Sequence, residues 1–208
     1  MTIAQFDTQA VSGGFADPVF EAQAAFRALM DATARPGTIH DLPAGLAPPA
    51  PFGAGSAALM LTLCDPDTPV WLAEALRGEG VSAWIAFQCG APLIGDSARA
   101  AFAFAAGNDM PALSALNAGT QEYPDRATTL VVELEALEGG AEIVIEGPGI
   151  LGRSRIAPVG LPHSFLNERA GNRALFPRGV DVVLVCGSRV MALPRSTVLS
   201  RKSEQEAN

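Results

Sequence analysis

Apolar and polar positions alternate with a helical period over residues 18–35, and both ends of that segment are marked. Asp17 can accept the free N–H groups of a first turn, and Pro18 occupies the first helical position, where its missing N–H costs nothing. Pro36 disfavours the helical region for Arg35, and Gly37 can take the positive φ that closes a helix. Between these ends Val19, Ala22, Phe26, Leu29, Met30 and Thr33 share one side at helical spacing, and Gln23, Arg27 and Asp31 share the other. The apolar side is therefore expected to face the core.

Further along, alternation predicts a strand over 37–42, and the proline- and glycine-rich run 43–55 reads as a surface connection. A short apolar helix over 56–63 leads into Cys64-Asp-Pro-Asp-Thr-Pro, a hydrogen-bonded turn, and then a strand over 69–72. A short helix at 74–77, strands over 82–88 and 98–105, and a short helix over 111–117 follow. Residues 128–135 and 141–146 read as a hairpin turning at Gly139-Gly140. A strand over 153–156 and a helix over 161–172 precede the continuous β-branched run 180–186, which suits a sheet centre. A last strand covers 190–193. Interleaved strands and helices predict a three-layer α/β sandwich around a mixed sheet. One domain over 15–199 is expected, between a loose lead-in over 1–14 and a polar tail over 200–208.

The chain has 208 residues, 49% of them hydrophobic, and a formal charge of −8. That length supports one full core, and no apolar run approaches the roughly 20 residues that span a bilayer. The first residues lack a basic start and an apolar run, so a cytoplasmic, membrane-free protein is expected. Net negative charge argues against a nucleic-acid footprint, which needs clustered Lys and Arg. Cys64, Cys89 and Cys186 lie far apart among apolar neighbours and read as reduced thiols. Of 14 basic side chains only Lys202 is a lysine. The rest are arginines, which suit bidentate recognition of carboxylate or phosphate groups.

Motifs with catalytic potential are sparse. Gly147-Pro-Gly-Ile-Leu-Gly152 matches a dinucleotide-binding pattern, but the residues after it alternate with period two instead of opening a helix. His40 and His163 lack a nucleophile or metal partner at a known spacing, so no metal is expected. Asp65, Asp67 and Thr68 could hold a metal or act as acid and base, but such a cluster more often caps a turn, because short Asp side chains satisfy nearby backbone N–H groups. Arg27, Asp31 and Arg35 fall four residues apart on the polar side of the first helix, with Phe20 beside Arg27. An aromatic next to an arginine has the composition of an interface centre.

Three stretches resemble the PhnH family, the H subunit of the bacterial carbon–phosphorus lyase system: residues 20–39, residues 61–72, and Phe176-Pro-Arg-Gly-Val-Asp-Val-Val-Leu-Val-Cys-Gly187 running on to Leu193-Pro-Arg-Ser-Thr197. The resemblance implies a fold like the large domain of pyridoxal-phosphate-dependent transferases without the cofactor. Consistent with that, the only lysine, in the polar tail, is not placed to hold it in a Schiff base. It also implies a subunit that works with the G, I and L proteins when a phosphonate displaces adenine from ATP, giving ribose 1-phosphonate 5-triphosphate. A core complex with the G, I and J subunits is implied, and a homodimer when the chain is alone. The alternatives are an independent hydrolase using His40 or Cys64, or a purely structural assembly subunit. If the three stretches meet at one groove for a phosphonate or nucleotide-derived anion, Arg27, Arg35 and Arg195 are its candidate donors. Asp65, Thr68 and Asp181 would then hold its shape.

Overall fold

A computed structural model describes residues 12–201. The expectations for residues 1–11 and for 202–208, Lys202 among them, lie outside the described residues. The architecture is mixed α/β. Helix α1 (Pro18–Ala34) leads to β1 (His40–Asp41) and, after the proline-rich connection, to α2 (Ala54–Leu63). Then come β2 (Val70–Leu72), α3 (Glu79–Gln88), β3 (Phe102–Ala106), β4 (Thr129–Glu133), β5 (Ile143–Glu146) and β6 (Arg153–Ile156). Helix α4 (Phe165–Arg173), β7 (Asp181–Cys186), β8 (Arg189–Leu193) and β9 (Val198–Arg201) complete the chain.

Six strands form a mixed sheet in the order β1-β8-β7-β4-β3-β2, and β6-β5-β9 form a separate three-stranded sheet. Strands β2, β3, β4 and β7 run parallel, whereas β8 is antiparallel to β7 and to β1. Alternation along the central strands divides the core. Val131, Val183 and Val185 meet residues of α1, α2 and α3 on one face. Leu130, Val132, Val182 and Leu184 meet Phe165 of α4 and Ile145 and Ile156 of the smaller sheet on the other. Both faces of the large sheet are covered, which is why β7 reads as an unbroken apolar run.

The ends of α1 are as the sequence predicts. The Asp17 side chain accepts the Phe20 N–H at 3.4 Å, Pro18 opens the helix, and Gly37 follows it at φ +84°. A Cβ at Gly37 would stand 2.3 Å from Ile145 Cδ1, so glycine there permits contact with the smaller sheet as well as the turn.

The face of α1 is different from expectation. Ala25, Ala28 and Ala32 form the buried stripe, against α2 and β8. Val19, Phe26 and Met30, expected in the core, are 75%, 49% and 53% exposed. The physical reason is helix spacing: side-chain size at the contact sets how closely helices approach, and methyl groups let α1 lie close against its neighbours. Three alanines at i, i+3 and i+7 fit that contact, and the larger side chains turn away from it.

Other corrections are local. Residues 82–88 are helical, within α3, because Val81, Trp84 and Ile85 share one buried side at helical spacing. Residues 128–135 and 141–146 do not form a hairpin: β4 joins the six-stranded sheet and β5 the three-stranded one, so the turn at Gly139, φ +94°, changes sheets. Only Leu113–Ala115 forms a 3-10 turn within 111–117. The polar tail begins later than expected, because residues 198–201 form β9 and pair with β5.

Glu133 closes β4 with an unusual load. Its Oε1 accepts the Gly53 N–H at 2.8 Å, at the N-terminus of α2, and burial raises its pKa above the ordinary value of 4.5. A raised carboxyl binds more protons in the native state than in the unfolded chain, so its contribution to stability falls as pH rises through the window between the two values.

Two stability predictions follow from this packing. Ala28→Leu is expected to destabilise the fold by about 1–3 kcal/mol through overpacking, whereas Met30→Ser stays within about 0.5 kcal/mol; urea denaturation measures both, and equal losses would contradict the burial assignment. Glu133→Gln keeps the Gly53 acceptor without the buried charge, so its urea midpoint should exceed the parent's at pH 7 and converge on it below the ordinary carboxyl range. A midpoint difference independent of pH would remove the charge argument.

Candidate functional site

The N-terminal ends of the parallel strands open onto a cavity of about 550 Å³ beside α1. All three stretches singled out in the sequence contribute to its wall: Leu29 and Thr33 from the first, Leu63 from the second, and Phe176, Asp181 and Arg195 from the third. The lining is chiefly aliphatic and aromatic. Its one ion pair joins Asp181, the first residue of β7, to Arg195, just beyond β8.

The β7–β8 register sets that pair in place. Val182 lies opposite Leu193, so the register runs on to Asp181 opposite Pro194, with Arg195 one residue farther and within reach of the carboxylate. Asp181 Oδ1 accepts the Arg195 backbone N–H at 2.7 Å, and Oδ2 accepts Nη2 at 2.7 Å, with Nε at 3.2 Å from both oxygens. Nη1 of Arg195 donates to the Pro124 carbonyl. With side-chain exposures of 18% and 30%, the pair is shielded, and a bidentate carboxylate–guanidinium contact of this kind fixes orientation strongly. Arg195 is thus a tie between β7, β8 and the Pro124 turn.

Helix α4 reinforces the same corner through residues that sequence reasoning passed over. Arg169 is 3% exposed and donates to the carbonyls of Pro194 (2.6 Å), Thr197 (3.2 Å) and Val180 (3.4 Å). Burial lowers its pKa to about 10, against the opposing pull of the Asp181 charge. Asn172 exchanges two bonds with Val180, accepting its N–H at 2.7 Å and donating to its carbonyl at 2.9 Å. The signal was present in the helical spacing of Phe165, Arg169 and Asn172, whose side is buried.

The remaining predicted residues lie outside the cavity wall. Arg35 pairs with Asp31 at 3.0 Å on the exposed side of α1, with side-chain exposures of 58% and 47%. Arg27 has no acidic partner among the described residues, and Phe20 stands exposed near the start of the helix. Asp65 organises a turn: its Oδ1 accepts the Thr68 hydroxyl at 2.6 Å and the Asp67 N–H at 3.0 Å. The Thr68 hydrogen bond, foremost, holds the Asp65 carboxyl below its usual range.

The other chemical candidates have structural settings. His40 Nε2 lies 2.8 Å from the Thr38 hydroxyl, whose own proton goes to the Arg35 carbonyl, so this ring nitrogen is the donor. His163 is exposed and borders a second cavity of about 590 Å³ between the start of β5 and the start of α4. Burial pushes the Cys64 thiol far up, which opposes use as a thiolate nucleophile. The three cysteines are free. The glycine-rich motif at 147–152 is the loop of the β5–β6 hairpin, and a Cβ at Gly149 would lie 2.2 Å from the Ala34 carbonyl oxygen, at the end of α1. Among the described residues no three His, Cys, Asp or Glu side chains gather as a metal site, and no helix is long and apolar enough to cross a membrane.

Comparison with known proteins bears on the whole of this arrangement. A rhizobial protein, the alpha-D-ribose 1-methylphosphonate 5-triphosphate synthase subunit PhnH of Rhizobium meliloti (strain 1021), is 54% identical over 197 residues, covering 94% of this chain and 98% of that one. The putative C-P lyase subunit protein HtxG of Stutzerimonas stutzeri is 30% identical over 180 residues, 86% of each chain. The family model for the bacterial phosphonate metabolism protein PhnH matches residues 13–200, which takes in the cavity, the Asp181–Arg195 tie and both sheets. With its three marked stretches joined at one cavity and its length matched almost end to end, the chain belongs to the PhnH family of bacterial phosphonate metabolism proteins.

Proposed function

We propose that the chain is a non-autonomous subunit of the assembly that makes alpha-D-ribose 1-methylphosphonate 5-triphosphate in phosphonate breakdown. The observation that carries this reading is the 54% identity to a named subunit of that synthase over 98% of its length. On this reading the chain acts with the G, I and L proteins when methylphosphonate displaces adenine from ATP, assembles with the G, I and J subunits in the cytoplasm, and self-associates as a homodimer when alone. A six-stranded mixed sheet with helices over it supports a kinship with the large domain of pyridoxal-phosphate-dependent transferases, here without the cofactor.

The chemistry of the side chains fits a supporting role. Arg195 and Asp181 neutralise one another, and Arg169 is bonded to backbone carbonyls, so neither cation is presented to a ligand. Asp65 with Thr68, and Asp181 with Arg195, hold the shape of the surface. Arg35 differs. Its exposed pairing with Asp31 belongs to a class worth only about 0–1 kcal/mol, so an oxygen of a phosphonate or triphosphate brought by another subunit can recruit the guanidinium. Phe20 and Arg27 are assigned to contact with neighbouring subunits.

The test is complementation. In a strain lacking the corresponding gene, this chain should restore growth on methylphosphonate as sole phosphorus source, and failure with soluble, folded protein would contradict the assignment. Arg35→Met should leave thermal stability within about 0.5 kcal/mol and slow that growth, and full growth would remove Arg35 as a ligand donor. Arg195→Met leaves the part-buried Asp181 carboxylate without its charged partner, so a loss of about 1–3 kcal/mol is expected from thermal unfolding; unchanged stability would show that the tie is not structural.

A further inference from the structure

The stripe Val19, Phe26 and Met30 has no partner within the described chain. At 100° per residue these three side chains fall within about 40° of arc on α1, and Leu29 and Thr33, which line the cavity beside Asp181 and Arg195, occupy the adjoining arc. The apolar surface is therefore continuous from the exposed face of the helix into a hole next to it. Phe176 stands on the far wall, 53% exposed, with the Arg173 guanidinium 4.6 Å from its ring centroid.

Charge at this place has its own sign. The chain carries a net −8. Beside this surface, however, Arg27 and Arg173 have no carboxylate partner among the described residues, Asp31 pairs with Arg35 and Asp181 with Arg195, and Glu21, which accepts the Asp17 N–H and keeps its charge, falls about 200° around α1 from Val19, on the opposite side from the stripe. A ridge of large apolar side chains, a socket beside it and two unpaired guanidinium groups at its margins are the negative image of an amphipathic helix with flanking carboxylates.

We propose that α1 and the adjoining cavity form the docking site for an acidic amphipathic helix of another subunit, with one large apolar side chain of that helix filling the cavity. This rests on the reading of the chain as a synthase subunit. The incoming helix lies along Val19, Phe26 and Met30, its knob enters between Leu29, Thr33 and Phe176, and its acidic residues meet Arg27 and Arg173. A small ligand would fill the socket alone and leave the ridge exposed. Burial of four large exposed apolar residues, Phe20 included, suits a protein partner instead.

The experiment co-expresses the full chain with the G, I and J subunits, purifies through a tag on the G subunit and measures how much of this chain is retained. Phe26→Asp with Met30→Asp, and separately Thr33→Trp to fill the cavity, should each lower retention at least about tenfold with the thermal midpoint unchanged. Leu93→Asp, an exposed apolar site beside β2 at the opposite edge of the sheet, should be retained like the parent. A photo-crosslinking residue at position 26 should then capture a segment of another subunit that alternates apolar and acidic residues at helical spacing, and reversing the charge there should rescue Arg27→Glu. Full retention of both α1 variants overturns the docking site, as does a crosslink to a second copy of this chain or binding of a small molecule that protects the cavity while the ridge stays dispensable. If the parent itself is not retained, the subunit reading fails and takes this inference with it.

Discussion

Close contact through three alanines sets the disposition of everything on the α1 side of the sheet. Ala25, Ala28 and Ala32 are the buried residues of the helix, set against α2 and β8, with Leu29 packed at the margin of the same core. A helix held that closely cannot turn its larger residues inward. Val19, Phe26 and Met30 are left on the outside, and Leu29 and Thr33 are left bridging to the cavity wall. Helix packing thereby produces both a stable core on one side and an unsatisfied apolar surface on the other.

At the margin of that surface the polar groups serve stability. Asp181 and Arg195 satisfy each other across the β7–β8 ends, and Arg169 and Asn172 reach from α4 to the carbonyls and N–H that the sheet leaves unpaired there. Buried carbonyls without partners would carry a desolvation penalty of about 1–3 kcal/mol each, so these long side chains answer a structural need. The corner is cross-linked by hydrogen bonds where α1 is exposed and apolar.

How much of this could be read from the sequence depended on whether the signal was local. The ends of α1 were legible because a cap, a proline and a glycine act on their own neighbours. Strand β7 was legible because burial on both faces leaves an unbroken β-branched run. The buried face of α1 was misread because periodicity ranks residues by hydrophobicity, and alanine ranks low although its size decides how close helices come. Residues 82–88 were misread because Trp, Ile and Phe suit a strand as well as a buried helix, and only the packing of Val81, Trp84 and Ile85 decides. The pairing of β5 with β9 instead of β4 is a tertiary choice with no local mark. For the site, Arg195 was named from sequence as a candidate anion donor and Asp181 as a residue holding the groove's shape. The structure puts them at the cavity, already joined, whereas Arg169 went unnoticed because a charged residue in a helix ordinarily faces water.

Oxidative footprinting of the isolated chain against the same chain within the co-expressed assembly tests the central claim that α1 is an interface. Met30 and Phe26 should label readily in the isolated chain and lose most of that labelling in the assembly, while Phe87, 61% exposed on α3, labels equally in both. Undiminished labelling of Met30 and Phe26 in the intact assembly would contradict the account.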